Sequence, residues 1–221
     1  DQTSIEWCNA TWNPVSGCTR VSEGCRHCFA EGIAARFSKP GQAYHGLAKM
    51  TGSGPHWTGE VKLHPERLQI PLKWKMGRRV FTCSMSDLFH PKVPFDFIDH
   101  VFGVMAAAGR HTFQVLTKRP ERMAEYVNGG VDRAARVYYF ANRYATELEL
   151  APEPWPLPNV WLGTSTEDQA AADARVPHLL RAAAAVRFVS AEPLLGPISF
   201  THIHPTGEPG LVYNALTGGG G

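Results

Sequence analysis

Cys18, Cys25 and Cys28 are the residues with the clearest chemical meaning in this chain, three thiols spaced C-x6-C-x2-C within residues 12–31. Cys25 and Cys28 are close enough in sequence for a local chelate, and Cys18 reaches them over a polar, Gly-bounded loop. Phe29, Ala30, Ile33, Ala34 and Phe37 follow at helical spacing. The last thiol therefore opens a helix, and a helix N-terminus favours the thiolate form. No further cysteine or histidine follows at zinc-finger spacing. Three thiolates suit an iron–sulfur cluster that keeps one iron open to a ligand. The alternative is a structural zinc site completed by His27, His45 or Cys8, since zinc commonly takes four Cys or His ligands.

The chain that must position these thiols alternates between apolar runs and helical patterns. Residues 79–83 (R-V-F-T-C) end in S-M-S-D and lead to a helix over 95–108. Residues 112–116 (T-F-Q-V-L) end in T-K-R-P before a helix over 120–127. Residues 160–162 end in G-T-S-T-E-D before an Ala-rich helix over 169–183, and residues 186–189 end in S-A-E-P. Ahead of these lie a β-like run at 4–8, a helix over 28–38, a short strand at 61–63 and a helix over 64–74, with Pro65 where its missing N–H costs little. Residues 211–216 offer a seventh strand. Residues 39–59 lack periodicity and read as a lid-like loop. Residues 128–158 interrupt the repeat as a surface insertion, which carries the helical run V-Y-Y-F-A-N-R-Y and an extended Pro-rich end.

Strand–helix alternation marks a parallel sheet, and near-continuous apolar strands mean burial on both faces. No glycine-rich dinucleotide fingerprint follows any strand. The expected fold is therefore α/β, a partial or complete (β/α) barrel of about six to seven parallel strands in one domain over 1–221. With 43% hydrophobic residues in 221, the chain can fill one core. A formal charge of +2 favours no class of partner. No apolar stretch of about 18 residues occurs, and residues 1–7 lack the basic and apolar parts of a secretory signal. Five cysteines, three of them clustered, fit a reduced compartment, so a cytoplasmic protein is expected.

In a βα barrel, functional residues collect at the C-terminal ends of the strands. Ser84, Ser86 and Asp87 follow one strand, and Thr117, Lys118 and Arg119 another. Thr164, Ser165, Thr166, Glu167 and Asp168 follow a third, and Ser190 and Glu192 a fourth. Simpler readings compete. The Glu167–Asp168 pair suits the start of the next helix, Lys118–Arg119 a solvated helix start, and Cys83 and Cys8 buried strand positions. His56, Trp57 and the aromatics of 138–144 either pack in core or lid or stack on bases. Glu192 directly follows a strand read as buried, where a carboxylate is costly unless used or paired.

Together the segments W-N-P-V-S-G-C-T-R-V-S-E-G-C-R-H-C-F-A-E, L-H-P-E-R-L, S-M-S-D-L-F-H, F-Q-V-L-T-K-R-P-E-R-M, N-V-W-L-G-T-S-T-E and R-F-V-S-A-E-P-L-L-G-P-I resemble the phage and prophage three-Cys-motif family. That family is a domain of unknown function regarded as similar to the radical S-adenosylmethionine superfamily. The superfamily's usual spacing is C-x3-C-x2-C, and this chain departs from it with three more residues between the first two cysteines. The resemblance implies a [4Fe-4S] cluster on Cys18, Cys25 and Cys28. A reduced cluster would pass an electron to the sulfonium of S-adenosylmethionine, and a 5′-deoxyadenosyl radical would abstract hydrogen from a substrate. By position, Ser84, Asp87, Lys118, Thr164, Ser165 and Glu192 would contact cofactor or substrate. Lys118 would pair with the methionine carboxylate, and Asp87 or Glu192 would accept from its ammonium or from ribose hydroxyls. Implied partners are an electron donor and a substrate that the resemblance does not name, with nucleic acid or a nucleotide as the candidate in a phage setting. The rival reading is a zinc-stabilised module that binds nucleic acid or protein without catalysis. The tail departs from the family, which continues through G-G-E-S where this chain has L-T-G-G-G-G. It reads as truncated, or as ending in a strand that serves differently.

Overall fold

The apolar runs at 79–83, 112–116, 160–162 and 186–189 all form strands. A computed structural model describes residue 3 and residues 5–145, 154–208, 210–217 and 219–220. In chain order its elements begin with β1 (Ala10–Trp12), β2 (Val15–Ser16), α1 (Phe29–Arg36), β3 (Ala48–Thr51), β4 (Gly54–Trp57) and β5 (Lys62–Leu63). There follow β6 (Arg79–Thr82), α2 (Phe95–Ala107), β7 (Thr112–Thr117), α3 (Pro120–Val127) and α4 (Gly130–Tyr144). The chain closes with β8 (Val160–Ser165), α5 (Gln169–Arg181), β9 (Val186–Ser190), β10 (Tyr213–Asn214) and β11 (Gly219–Gly220).

Five strands form the central sheet, in the order β1-β6-β7-β8-β9 and all parallel. Their spatial order follows chain order with no reversal, which separates this sheet from a doubly wound one. The sheet is open among the described residues. The expected six to seven strands reduce to five for local reasons. Lys62 and Leu63 pair antiparallel with β2, and Tyr213 and Asn214 pair antiparallel with β11, so neither segment joins the main sheet. The first strand lies at Ala10–Trp12; of the run expected at 4–8, residues 5–8 form no strand and residue 4 lies outside the described residues. The helix expected over 64–74 is two 3-10 turns, Pro65–Arg67 and Pro71–Lys73, because Pro71 removes a donor that a continuous helix needs. Within 39–59 lies the β3–β4 hairpin, and within 128–158 the 15-residue α4.

Side chains alternate across the sheet. Trp12, Val80, Phe113, Val115, Val160 and Leu162 belong to one core with Val101, Phe102, Met105, Met123, Tyr126 and Leu179 of the helices. On the other face, Phe81, Gln114 and Trp161 fall in register on neighbouring strands, as do Leu116, Gly163 and Phe188. The Phe188 ring lies over Gly163, where an added Cβ would sit 2.5 Å from it. The Trp7 ring lies 4.6 Å from that of Phe81. At the sheet edge β9 is half-exposed rather than buried, since among the described residues no further strand pairs with it.

Charged side chains tie the helices in place. Asp99 of α2 is fully buried and accepts from the Tyr126 hydroxyl at 3.0 Å, Arg133 Nη1 at 2.6 Å and Arg136 Nε at 2.6 Å. The network fixes α4 to α2, where Gly103 lets the Phe140 backbone approach. Arg187 of β9 donates to the carbonyls of Leu179 and Ala182, satisfying the end of α5. Asp99→Ala leaves two guanidinium groups without their shared carboxylate and should lower unfolding free energy by about 3–5 kcal/mol. A urea titration that shows an unchanged midpoint would sink this account of how α4 is held.

Candidate functional site

The three loop cysteines lie at the C-terminal end of the parallel sheet. Cys18, Cys25 and Cys28 line one cavity of about 180 Å³, together with Trp57, Phe81, Cys83, Ser84, Asp87, Lys118, Arg119 and Ser165. Among the described residues, no three Cys, His, Asp or Glu side chains are gathered closely enough to hold a metal ion as they stand.

The loop is held by ion pairs rather than by regular structure. Arg119, just past β7, donates from Nη1 to Asp87 at 2.8 Å and from Nη2 to the Thr19 carbonyl and hydroxyl at 3.0 and 2.9 Å. The same guanidinium lies 3.8 Å from Cys18 Sγ. Asp87 also accepts from the Thr117 hydroxyl at 2.7 Å and from the backbone N–H groups of Phe89 and Lys118. On the β8 side, Glu167 receives Arg175 at 2.7 Å and Lys118 at 3.2 Å, and its side chain packs on Gly24 of the 3-10 turn Glu23–His27. At the outer edge, Arg20 reaches Glu31 of α1 at 2.7 Å, and Glu31 accepts from the Trp57 N–H at 2.7 Å. The loop is thus pinned at Thr19, Gly24 and Arg20 from three directions.

Each loop sulfur faces donors. Cys18 has Arg119, Cys25 has the Val21 N–H at 3.5 Å, and Cys28 the N–H groups of Ala30 and Glu31 at the start of α1. Burial still dominates. It pushes the Cys18 thiol up to about 12, with Asp87 adding to the shift and Arg119 opposing it. Cys28 is raised as well, again by burial first. Any metal that loads here must displace those protons.

Cys83 is the residue whose role the sequence left open. It sits one position past β6 with φ +63°, a conformation uncommon outside glycine, and its buried thiol, also pushed up to about 12 by burial, lies on the cavity wall. Its N–H donates to the Trp12 carbonyl at 2.8 Å, which anchors this turn beside β1. Arg119 was legible as a cation at a strand end, but its reach of a hundred residues back to the loop was not.

Of the expected contact residues, Ser84, Asp87, Lys118 and Ser165 line the cavity, and Thr164 and Glu192 do not. Thr164 is fully buried and donates to the Thr117 carbonyl at 2.9 Å, so its hydroxyl joins β8 to β7 instead. Glu192 is exposed and lines a separate depression with Trp7 and Trp161. Ser84 is engaged with Asn13. Of the acidic pair after β8, Asp168 caps α5 by accepting from the Ala171 N–H at 2.7 Å, whereas Glu167 turns inward.

Fold and site together define an α/β protein with a cysteine-lined cavity at the C-terminal end of a parallel sheet. The chain belongs to the family described as "protein of unknown function (DUF5131)", whose model matches residues 2–219. Comparisons with curated proteins and with solved structures return no match. Among the described residues, no helix is long and apolar enough to cross a membrane.

The pinning groups make the site acid-sensitive. Burial opposes the charge on Glu167, but Arg175, Ser22 and Lys118 outweigh it and hold the carboxyl down to about 2. His90, 3.0 Å from the Thr19 hydroxyl, is pushed down to about 4 by burial and by Arg119. Both folded values lie below the unfolded ones, so unfolding takes up protons and stability falls on acidification. The loss at His90 runs from about pH 6.5 to 4, and at Glu167 from about 4.5 to 2. The Glu167 contribution is about 3 kcal/mol at neutral pH. Denaturation titrations of Glu167→Gln should show lower stability at pH 7 and a flattened slope below pH 4.5; a slope equal to wild type refutes the assignment.

Proposed function

We propose that this chain is a radical S-adenosylmethionine-type enzyme whose Cys18, Cys25 and Cys28 hold a [4Fe-4S] cluster. The observation that carries this reading is the shared cavity, which all three loop thiols line, with Cys18 beside the Arg119 guanidinium and Cys25 beside the Val21 N–H. Hydrogen bonds to sulfur are among the features that tune such clusters. The open sheet, with spatial order following chain order, reads as part of a (β/α) barrel, and the cavity lies where such folds place their chemistry.

The donor set fits the group. A cavity of about 180 Å³ is smaller than the ~300–1,000 Å³ of ordinary organic-ligand pockets, so it suits a compact inorganic group. Cys18, Cys25 and Cys28 would hold the group, and Cys18 and Cys28, whose thiols burial keeps protonated, would release their protons to it. When bound and reduced, a cluster of this kind supplies the electron that cleaves S-adenosylmethionine and begins radical chemistry. The protein's own residues position and shield. Arg119 and Asp87 hold Cys18 at the strand ends, Glu31 and Arg20 hold the start of α1, and Trp57 closes one wall. Lys118, half-buried and tied to Glu167 by one contact of 3.2 Å, is the group assigned to a carboxylate of the cofactor. The resemblance names no substrate, and a nucleic acid or nucleotide is the candidate carried forward.

Cys83 favours a second reading. A fourth thiol lining the same cavity would complete a four-cysteine set for structural zinc and make the chain a binding module rather than an enzyme. Anaerobic reconstitution with iron and sulfide separates the two. The radical reading expects a brown protein that, once reduced, releases 5′-deoxyadenosine and methionine, and that keeps its iron in Cys83→Ala but loses it in Cys25→Ala. A colourless protein with one tight zinc, lost in Cys83→Ala, overturns it in favour of the binding module.

A further inference from the structure

The second face of the sheet carries a pocket that the cysteine site does not use. Trp7, Gln114, Trp161, Phe188, Ser190 and Glu192 line an open depression of about 420 Å³. That volume falls within the ~300–1,000 Å³ range of small-molecule sites. Three of the eight lining residues, Trp7, Trp161 and Phe188, are aromatic.

Gln114 is the anomaly. It lies in mid-strand on β7, in register with Phe81 and Trp161, where an apolar side chain would cost nothing. It is only 6% exposed, and its carboxamide Oε1 has no hydrogen-bond partner. Buried polar atoms are nearly always satisfied, so a carboxamide with an unpaired oxygen keeps hydrogen-bonding capacity to spare, a condition it shares among the described residues with Thr82, Arg133 and Thr166. A carboxamide presents one acceptor beside one donor, the pattern that reads the edge of a nucleobase. Aromatic rings beside it supply the faces on which a base stacks.

We propose that this pocket binds a planar, N–H-bearing heteroaromatic ring of the nucleobase class, which stacks on the aromatic wall and donates to the Gln114 carboxamide once a half-turn of its amide plane brings Oε1 to the depression. Glu192 and Ser190, at the end of β9 and just past it, are placed to meet sugar hydroxyls attached to that ring. The site adjoins the cysteine cavity, because Phe81 lines that cavity and its ring lies 4.6 Å from that of Trp7. The proposal holds whatever the cysteines carry. The ring has two sources, a nucleoside portion of a substrate or the adenine of S-adenosylmethionine.

Calorimetric titration of the full, metal-free chain with adenosine, guanosine, cytidine, uridine and S-adenosylmethionine tests it; nucleosides without phosphate keep Lys118 and Arg119 out of the measurement. At least one of these should bind with a dissociation constant of about 1 mM or tighter. Gln114→Leu and Trp161→Ala should each weaken that binding about tenfold or more. Gln114→Leu should melt at or above the wild-type temperature, since it removes an unsatisfied amide. If adenosine binds, purine riboside, which lacks the exocyclic amine, should bind about tenfold more weakly. Displacement of the bound nucleoside by S-adenosylmethionine assigns the ring to the cofactor, and simultaneous binding assigns it to a substrate. No binding of any probe at millimolar concentration overturns the proposal, as does affinity unchanged in both variants when circular dichroism shows them folded.

Discussion

The Asp87–Arg119 pair is the contact on which the cysteine site depends. Each partner follows a different strand, and Arg119 extends past Asp87 to Thr19 and Cys18. Both side chains are almost fully buried, so neither charge has water to fall back on. A buried pair gains from mutual attraction only when its geometry is good and its remaining hydrogen bonds are made. Here they are made, by the Thr117 hydroxyl and the backbone of Phe89 and Lys118 on the acid, and by Thr19 on the base. The cysteine loop is therefore fixed to the ends of β6 and β7 by charge.

That solution follows from what the loop is made of. Residues 17–28 carry few apolar side chains and cannot bury enough surface to order themselves. Three carboxylates, Asp87, Glu167 and Glu31, each with an arginine, compensate from three sides. The arrangement keeps Cys18 and Cys28 sheltered and protonated, yet close to groups that favour their charged form once a metal replaces the proton.

The open face of the sheet poses a different physical problem. Trp7, Phe81 and Phe188 fill much of it, and Gly163 is small enough for the Phe188 ring to lie flat over β8. What they leave is a depression with an unsatisfied amide at its base, beside the wall of the cysteine cavity. The two cavities sit on one surface, one suited by its donor atoms to an inorganic group and the other to a flat organic ring.

Much of the architecture was legible in the sequence, because runs such as V-F-T-C and F-Q-V-L are apolar on nearly consecutive positions, a pattern that strands covered on both faces require. The helices α2, α3 and α5, the thiol triad and the polar residues that follow each strand were read from local pattern in the same way. Strand count was not, since whether Lys62–Leu63 or Tyr213–Asn214 joins the main sheet depends on which backbone each finds to pair with. Nor was the division of labour at the strand ends. Ser165 and Thr164 are neighbours with similar side chains, but alternation along β8 sends one to the cavity and the other to a backbone carbonyl of β7. Glu192 and Glu167 look alike in sequence; the first is exposed beside Trp161, and the second is held by Arg175 under the cysteine loop. The sequence by itself determined which chemistry is available, three thiols and a ring of polar groups at strand ends. Only the tertiary structure decided which of those groups face the thiols, that Cys83 joins them, and that Gln114 is left without a partner, because facing and pairing are set by contacts between residues far apart in the chain.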